Sequence, residues 1–362
     1  MRPFCLLPAI LLFGLMMPLA AAPLTPDQVA AATAALRGDN PAQWYDAARA
    51  LGVDRQMTVL IAALKLDNPD RRIVIIHHVQ YGLDAATVDV LLGVLKNDPD
   101  TRVRKTALLT LRPAAGRRGL EEKRQAILDG VTAAADDADP SVACTAIPSL
   151  SLTDRDQLDA LLRIAAQGRT PAARGRALRM LERGKDPRIY QVLVNALDDP
   201  EYDVRYNTMN ALGYLGDPRA APRLLAVLRA PGQPAWTYEV TAGALRMLAS
   251  PAVLAPLLEL AKTAPGPQRP TILRALEGYR DPRVGALLTA AVTDLDPRVR
   301  STAASALAVV KYAPAGPVLL KQFRVEVEKE VRNTQLRALA ALGEPSARDV
   351  FAAALADREA AG

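Results

Sequence analysis

A phrase of about a dozen residues returns along almost the whole chain, and this recurrence limits the possible folds more than any other feature. In its clearest form the phrase is DPRVRSTAASAL, from Asp296 to Leu307. Asp is a favoured helix N-cap, and Pro is tolerated at the first helical position because its missing N–H would have no partner there. Apolar residues then follow at helical spacing, at Val299, Ala303, Ala306 and Leu307. The phrase therefore predicts a helix with one buried face, repeated many times.

Aligning the copies on Val299 gives ten anchor positions that are 28 to 39 residues apart: Gln43, Ile73, Val103, Val142, Ala173, Val204, Val240, Gln268, Val299 and Val331. Eight residues after them lie Leu51, Tyr81, Leu111, Leu150, Leu181, Leu212, Leu248, Leu276, Leu307 and Leu339. An Arg directly follows six anchors, at Arg104, Arg174, Arg205, Arg269, Arg300 and Arg332. Repeats of this length are typical of solenoids, in which each unit contacts only its neighbours.

The turns between the predicted helices recur as well. Asn-Pro or Asp-Pro precedes six anchors, at Asn40-Pro41, Asn68-Pro69, Asp98-Pro99, Asp139-Pro140, Asp199-Pro200 and Asp296-Pro297. A second turn reads Gly-Asp-Pro-Arg or a variant of it, at Gly184–Arg188, Gly216–Arg219, Asp281–Arg283 and Gly343–Pro345. With the Val-Arg helix that ends near Ala-Leu, these motifs resemble the HEAT-repeat family, especially the short repeats named after phycobilisome lyases. The resemblance covers about residues 25 to 356.

The resemblance implies an all-α fold, a right-handed α-solenoid of about ten two-helix HEAT-like repeats. It says little about function, because this architecture occurs in enzymes, adaptors and scaffolds alike. It also implies that the Arg after each anchor is structural and bonds to turn carboxylates or carbonyls of its own or a neighbouring unit. The planar fork of Arg suits such half-buried contacts better than Lys.

Residues 1 to 22 differ from the rest of the chain. Arg2 gives a positive start, Phe4 to Met17 is mostly apolar, and small residues follow up to Ala22. This pattern predicts a Sec-type signal peptide, residues 1–22, that is cleaved between Ala20 and Pro23, and hence a periplasmic or secreted protein. The apolar run is short for a membrane span, although an uncleaved anchor is the alternative. Residues 23–362 are then predicted to form a single solenoid domain with capped ends and no stable membrane span.

Both ends and two insertions depart from the regular repeat. Thr25 and Gln28 form a predicted capping box, and Trp44 stands where later units carry the Arg. The long intervals contain Pro113–Gly119 and Pro231–Tyr238, which we expect to be loops. Plain drift in repeat length is the simpler explanation for them. Residues 346–357 predict a single closing helix.

Candidate catalytic and metal-binding residues are few. His77 and His78 are the only histidines, and adjacent positions on a helix point about 100° apart, so they do not form a paired metal site. His77, four residues after its anchor, is expected to be a buried core residue. Cys144 is the only cysteine after residue 22 and is expected to be half-buried. We therefore expect no enzymatic activity, no cofactor and no bound metal.

The helical wheel indicates a candidate binding face. Core residues at the anchor and at 4, 7 and 8 residues after it place positions 2, 6 and 9 on the opposite side. The resemblance implies that second helices line the concave groove of the stack, so these positions face it. The candidate partner-binding residues are Arg179, Tyr206, Asn210, Arg246 and Arg274. Cations with a ring and an amide suit another protein, in particular an acidic segment. A solvated face without a specific partner is the alternative.

Together these features predict an exported, non-catalytic scaffold that mediates protein–protein interaction through its concave groove. Two alternatives remain open: a chromophore lyase subunit resembling the phycobilisome lyases, and a nucleic-acid-binding protein resembling HEAT-like DNA glycosylases. The sequence pI of 9.4 favours the latter. Export argues against both. Without Arg2 the chain carries 44 basic and 39 acidic residues, a net charge of only +5. Because phosphate tracking needs a continuous basic stripe, no nucleic-acid partner is expected.

Overall fold

The computed structural model describes residues 23–352, and in this part of the chain all regular structure is helical. The predicted signal peptide and the last residues of the predicted closing helix lie outside the described residues. The chain divides into two compact units, one ending at Ala134 and one beginning at Ala135. The single solenoid domain predicted for residues 23–362 stays a prediction. Within residues 23–352 no helix is long and apolar enough to cross a membrane.

Seven α-helices lie in the first unit: α1 (Pro26–Arg37), α2 (Pro41–Val53), α3 (Met57–Ala63), α4 (Pro69–Val79), α5 (Ala85–Asn97), α6 (Thr101–Ala114) and α7 (Arg124–Ala134). The second unit contains α8 (Pro140–Ala146), α9 (Arg155–Gln167), α10 (Pro171–Leu181), α11 (Arg188–Asn195), α12 (Tyr202–Leu215), α13 (Ala221–Arg229), α14 (Ala235–Leu248), α15 (Leu254–Thr263), α16 (Arg269–Leu276), α17 (Pro282–Ala291), α18 (Pro297–Val310), α19 (Gly316–Val325) and α20 (Lys329–Leu342). Taken in sequence order, the twenty described α-helices alternate as first and second helices of ten repeats. The predicted all-α solenoid of about ten two-helix repeats is confirmed.

The predicted helix starts are confirmed as well. Thr25 and Gln28 form the capping box, since the Gln28 N–H donates to the Thr25 hydroxyl at 3.3 Å and the Thr25 N–H donates to the Gln28 side chain at 2.8 Å. Asn40, Asn68 and Asp296 each cap a helix whose first residue is Pro. These side chains satisfy backbone N–H groups that a helix end would otherwise leave unpaired.

The predicted core register is correct in most second helices. The anchors Val103, Val142, Ala173, Val204, Val299 and Val331 are buried, as are the Leu residues eight positions later. One buried position was missed, five residues after the anchor, where Leu108, Leu178 and Leu273 are found. The buried stripe of each second helix is therefore wider than predicted and packs on more than one neighbour.

The register prediction was wrong in α4. The buried anchor there is Arg71 rather than Ile73, and Val79 takes the closing position while Tyr81 is 43% exposed. The reason is that a charged side chain occupies the anchor. The Arg71 guanidinium donates to the carbonyl of Gly38 at 2.8 Å and lies 4.4 Å from the centroid of the Trp44 ring.

In α14 the buried anchor is Thr237 rather than the half-buried Val240, so Leu245 replaces Leu248 as the closing core residue. Here too a polar residue hides the true anchor, because the alignment followed the apolar side chain. The helix begins at Ala235, so the loop predicted for Pro231–Tyr238 is shorter than expected.

The first inserted loop and the first anchor also need correction. The predicted loop from Pro113 begins only at Ala115, since Pro113 and Ala114 belong to α6. Gln43 is exposed, whereas Trp44 beside it is buried. Within residues 23–352 no second helix precedes α2 and covers this anchor.

The Arg that follows an anchor makes a recurring contact with the turn of its own repeat. We call this series of residues the arginine ladder. In six repeats the Arg after the anchor donates to the backbone carbonyl six residues before it, at 2.7–3.2 Å. The donors and acceptors are Arg72 and Leu66, Arg104 and Asp98, Arg174 and Gly168, Arg205 and Asp199, Arg300 and Asp294, and Arg332 and Glu326. In the repeat of α16, Arg269 reaches a carbonyl eight residues back, that of Ala261. The ladder satisfies carbonyl groups that the turn would otherwise leave unpaired.

The same guanidinium groups reach forward to a carboxylate in the turn of the next repeat. These ion pairs are Arg72 with Asp98, Arg174 with Asp199, Arg269 with Asp294, and Arg300 with Glu326. The last pair is almost fully enclosed, since the side chains of Arg300 and Glu326 are 12% and 1% exposed. Hydrogen bonds from Arg300 hold the pKa of Glu326 below its ordinary value. The structural role that the resemblance implied for these arginines is confirmed.

The ladder predicts that replacing two arginines of α18 lowers the free energy of unfolding by different amounts. Arg300→Ala should destabilise the protein by about 3–5 kcal/mol, because it leaves the buried Glu326 carboxylate unpaired. Arg298→Ala is the control. Its side chain is 67% exposed and pairs with Asp296, so its removal should cost less than about 1 kcal/mol. Urea unfolding at neutral pH measures both, and equal effects would contradict the ladder.

The Arg300 effect should depend on pH with a defined sign. Since the folded-state pKa of Glu326 is lowered, the pair's contribution is fully present above the ordinary Glu value of about 4.3 and is lost as the pH falls through the lowered value. The difference in the free energy of unfolding between the wild type and Arg300→Ala should therefore become smaller at acid pH.

Candidate functional site

The second helices of the second unit pack side by side at small residues. A Cβ on Gly213 of α12 would lie 3.0 Å from the Cα of Ala244, and one on Gly278 would lie 2.2 Å from the carbonyl oxygen of Arg246. Such close approaches require glycine. Consecutive second helices, from α10 to α20, contact one another more extensively than consecutive first helices do. Their outward faces therefore form one row of neighbouring side chains.

All five predicted partner-binding residues lie in this row. Arg179, Tyr206, Arg246 and Arg274 are exposed, and Asn210 is half-buried. The corrected register places Arg246 nine rather than six residues after its anchor, a position that also faces away from the core. The Asn210 side chain donates to the Tyr206 carbonyl at 3.1 Å, so one of its amide hydrogens is already used within α12.

The structure brings Arg246 and Arg274 together around an acidic residue that the sequence did not indicate. An oxygen of Glu277 lies 3.8 Å from Nη1 of Arg246. Burial raises the pKa of the Glu277 carboxyl, and the charges of Arg246 and Arg274 oppose that shift. The row is thus locally neutralised here rather than uniformly positive. The sequence signal was weak, because Glu277 stands directly after the core residue Leu276 at the end of α16.

Arg179 lies in a different environment, on what we call the α10 basic face: Arg176, Arg179 and Arg183. This face borders a cavity of about 440 Å³ that is also lined by residues 150–153. Among the described residues no carboxylate lies within ion-pair distance of Arg176 or Arg179, and Arg183 is 3.8 Å from Glu182. The cavity combines guanidinium groups with the hydroxyls of Ser151 and Thr153, which can donate to anionic groups, and with the Glu182 carboxylate, which offsets part of their positive charge. The hydroxyls were missed, because they lie in a turn outside the repeat motif.

Tyr206 belongs to an aromatic patch formed by Tyr202, Tyr206 and Trp236. The Trp236 ring centroid lies 5.3 Å from that of Tyr202 and 6.0 Å from that of Tyr206. Tyr202 and Tyr206 are 55% and 42% exposed. Tyr202 was missed in the sequence, although it stands one helical turn before Tyr206. Exposed aromatic clusters of this kind are typical of interaction sites.

With this geometry in view, the chain can be compared with known proteins. A family profile described as HEAT repeats matches residues 158–236, 191–276 and 254–336. The matched residues run from α9 into α20, and the helix pairs and arginine ladder continue the pattern towards the N-terminus. This chain is a HEAT-repeat protein. The finer resemblance to the short phycobilisome-lyase repeats stays a prediction.

Solved structures of the karyopherin Kap121p share the fold of this HEAT-repeat protein. Kap121p bound to Nup53p is 13% identical with a TM-score of 0.65, over 87% of this chain and 41% of that chain. Kap121p bound to Pho4p is 14% identical and Kap121p bound to the extreme C-terminus of the protein phosphatase Cdc14p is 15% identical, with the same coverage and TM-score. This chain thus spans about two fifths of the Kap121p chains. A comparison with curated proteins found no significant match.

The two histidines of this HEAT-repeat protein are placed opposite to expectation. His78, not His77, is the buried one: it is 3% exposed, its Nδ1 lies 2.8 Å from the Val74 carbonyl oxygen, and its ring meets that of Tyr45 edge-on at 4.8 Å. The corrected register of α4 explains the exchange. Burial lowers the pKa of His78, which fits a neutral packing residue.

The remaining candidates for chemistry are equally limited. Cys144 is half-buried as predicted, and burial raises the pKa of its thiol. A thiol with a raised pKa is a poor nucleophile. No group of three metal-ligating side chains occurs within residues 23–352.

The shared environment of Arg246 and Arg274 can be tested on Glu277. Arg274→Ala should raise the pKa of Glu277 further, because it removes one of the two positive charges that oppose the effect of burial. A ¹³C NMR titration of the Glu277 carboxyl measures this. Arg298→Ala serves as the control and should leave that pKa unchanged. An unaltered Glu277 titration in the Arg274 variant would show that the two arginines do not share the site.

Proposed function

We propose that this HEAT-repeat protein is an exported, non-catalytic scaffold that binds an acidic segment of another protein along the second helices of its second unit. The observation that carries the proposal is the row of exposed side chains on α10, α12, α14 and α16. It places guanidinium groups, an aromatic patch and an amide on helices that pack directly against one another, and among the described residues no carboxylate lies within ion-pair distance of Arg179. These are the residue types that dominate protein–protein binding energy.

The comparisons support binding of a protein segment at the level of the fold. Kap121p, which shares the fold, is bound to Nup53p, to Pho4p and to the extreme C-terminus of Cdc14p in its solved structures. A stack of helix pairs offers a long side surface on which an extended segment meets several repeats in turn.

The close packing of the second helices supports a concave groove within the second unit. On the inner side of a curved stack successive helices are closer together than on the outer side. The second helices α10 to α20 fit the inner side, because they contact one another more extensively than the first helices. The close approaches at Gly213 and Gly278 give the same indication.

The charges along the row favour an acidic protein over a nucleic acid. Arg176 and Arg179 have no carboxylate within ion-pair distance in the described chain, so a partner carboxylate would find them available. Glu277 and the aromatic patch interrupt the positive charges, whereas phosphate tracking calls for a continuous basic stripe. A segment with spaced acidic and apolar residues matches this pattern.

Export can be tested on the native protein. Mass spectrometry should find an N-terminus between Ala21 and Pro23, because small residues precede this point as signal peptidase requires. The protein should be recovered from the periplasm or the medium. An intact Met1 in a membrane fraction would overturn this part of the proposal.

The binding face can be tested by charge reversal. Replacing Arg179, Arg246 and Arg274 together by Glu should weaken an acidic partner, recovered by affinity capture from a periplasmic extract, by at least about tenfold, or 1.4 kcal/mol. It should also slow association and reduce its salt dependence, because long-range attraction is lost. Biolayer interferometry at two salt concentrations measures both effects.

A matched control carries the same change in charge elsewhere. Arg219, Arg283 and Arg298 are exposed arginines that pair with a turn Asp two residues earlier. Their triple replacement by Glu should leave the affinity within about twofold, and circular dichroism should show unchanged helicity in both triple variants. Wild-type affinity in the Arg179, Arg246 and Arg274 variant would show that the partner binds elsewhere.

A further inference from the structure

The turn residue that follows a first helix has two functions in the arginine ladder. Its carbonyl accepts a hydrogen bond from the ladder residue of its own repeat, and its carboxylate pairs with the ladder Arg of the preceding repeat. Asp199 shows both, since its carbonyl accepts from Arg205 and its carboxylate from Arg174. Asp294 does the same for Arg300 and Arg269. The ion-paired residues are 25 or 26 positions apart in the sequence.

Charge at these two positions is matched from repeat to repeat. Five ladder arginines are followed by a turn that lies in the same unit and within the described residues. Four of these five form an ion pair with an Asp or Glu of that turn. Where the ladder residue is neutral, the residue at the acid's position in the following turn is neutral too. Trp44 donates to the Gly38 carbonyl, and the turn residue of the next repeat is Leu66. Tyr238 donates to the Ala230 carbonyl, and the turn residue of the next repeat is Ala264.

Arg205 is the exception. The residue 25 positions after it is Ala230, which has the extended conformation of Asp199, with φ −65° and ψ 126° against −59° and 138°. The Ala230 carbonyl also has the usual function, because it accepts from the Tyr238 hydroxyl at 3.0 Å. Only the carboxylate is missing. Arg205 bonds to the carbonyls of Asp199 and Pro200, and the described chain places no carboxylate within ion-pair distance of it.

The aromatic patch lies beside this mismatch. Tyr202 is one helical turn before Arg205 on α12, and Trp236 is brought against Tyr202 by the inserted segment 231–234. Three of the chain's few aromatic residues, which make up 4% of the sequence, are concentrated at the repeat junction that lacks its carboxylate.

We propose that Arg205, with Tyr202, Tyr206 and Trp236, forms an anchor site for an Asp or Glu side chain of the bound protein segment. The partner's carboxylate pairs with the Arg205 guanidinium. It takes the position that an acid of the next repeat occupies at the ion-paired junctions. An apolar or proline residue next to that acid packs on Trp236. A charge-assisted, two-pronged contact flanked by aromatic rings combines orientation with affinity. This inference rests on the proposed function, since it places one anchor of the same segment.

The experiment supplies the missing carboxylate from the chain itself. The full chain is used to select binders from a display library of random twelve-residue peptides, and the enriched peptides are synthesised with a fluorophore. We expect an Asp or Glu next to an aromatic, aliphatic or proline residue. Ala230→Asp should weaken these peptides at least tenfold, because its carboxylate occupies Arg205, and it should raise the melting temperature. The neutral control Ala230→Asn should change binding less than twofold.

Arg205→Gln and Trp236→Ala, checked for unchanged circular dichroism, should each weaken the peptides at least fivefold. The inference is overturned if no peptide is enriched, if the enriched peptides lack a conserved acid, or if Ala230→Asp binds them like Ala230→Asn. The proposed groove has its own test. It is contradicted if replacement of Arg179, Arg246 and Arg274 by Glu leaves the affinity for the captured partner unchanged, and this result does not depend on the Ala230 variants.

Discussion

Nine of the ten described repeats depend on one arrangement, a side-chain donor that enters the turn between two helices and bonds to its carbonyl groups; the repeat of α8 has Ala143 at this position instead. A two-helix repeat must reverse direction twice within about 30 residues, and each reversal exposes backbone groups that the helices no longer satisfy. In six repeats an Arg donates to the carbonyl six residues before it, and in the first repeat the indole of Trp44 does so at 2.7 Å. Where the Arg also pairs with a carboxylate of the next turn, one guanidinium group fixes the turn of its own repeat and orients the following repeat.

The ladder also explains why the second helices carry the exposed row. Because ladder donors fix the turn at the start of most second helices, successive second helices are held in register and pack tightly at residues such as Gly213 and Gly278. Side chains that point away from both the core and the ladder are then free to differ. The α10 basic face and the Arg246–Glu277 pair lie on that unconstrained side, whereas the aromatic patch lies beside the ladder residue Arg205.

Much of this fold follows from the sequence because the period, the capping residues and the ladder arginines are local patterns. The register failed where a buried anchor is polar: Arg71 is held by a contact to the preceding repeat, and Thr237 is buried among its neighbours, which no local pattern reveals. The exchange of His77 and His78 followed directly from the first of these errors. At the candidate site the exposed side chains could be predicted, since exposure follows the helical period. Their partners could not, because Glu277 beside Arg246 and Trp236 beside Tyr202 meet across different helices.

The neutral ladder residues set rules for how such a chain can lengthen or shorten. Trp44 and Tyr238 close their turns without a charge, and the corresponding turn residues of the next repeats, Leu66 and Ala264, are uncharged as well. Loss of the single repeat formed by α15 and α16 would bring Tyr238 in front of Asp294 and leave a carboxylate without its cation. Duplication of a repeat that has an Arg at one end and an acid at the other creates no such mismatch. Gain and loss of repeats are therefore not equivalent along the array, and loss of a repeat that follows a neutral ladder residue is costly.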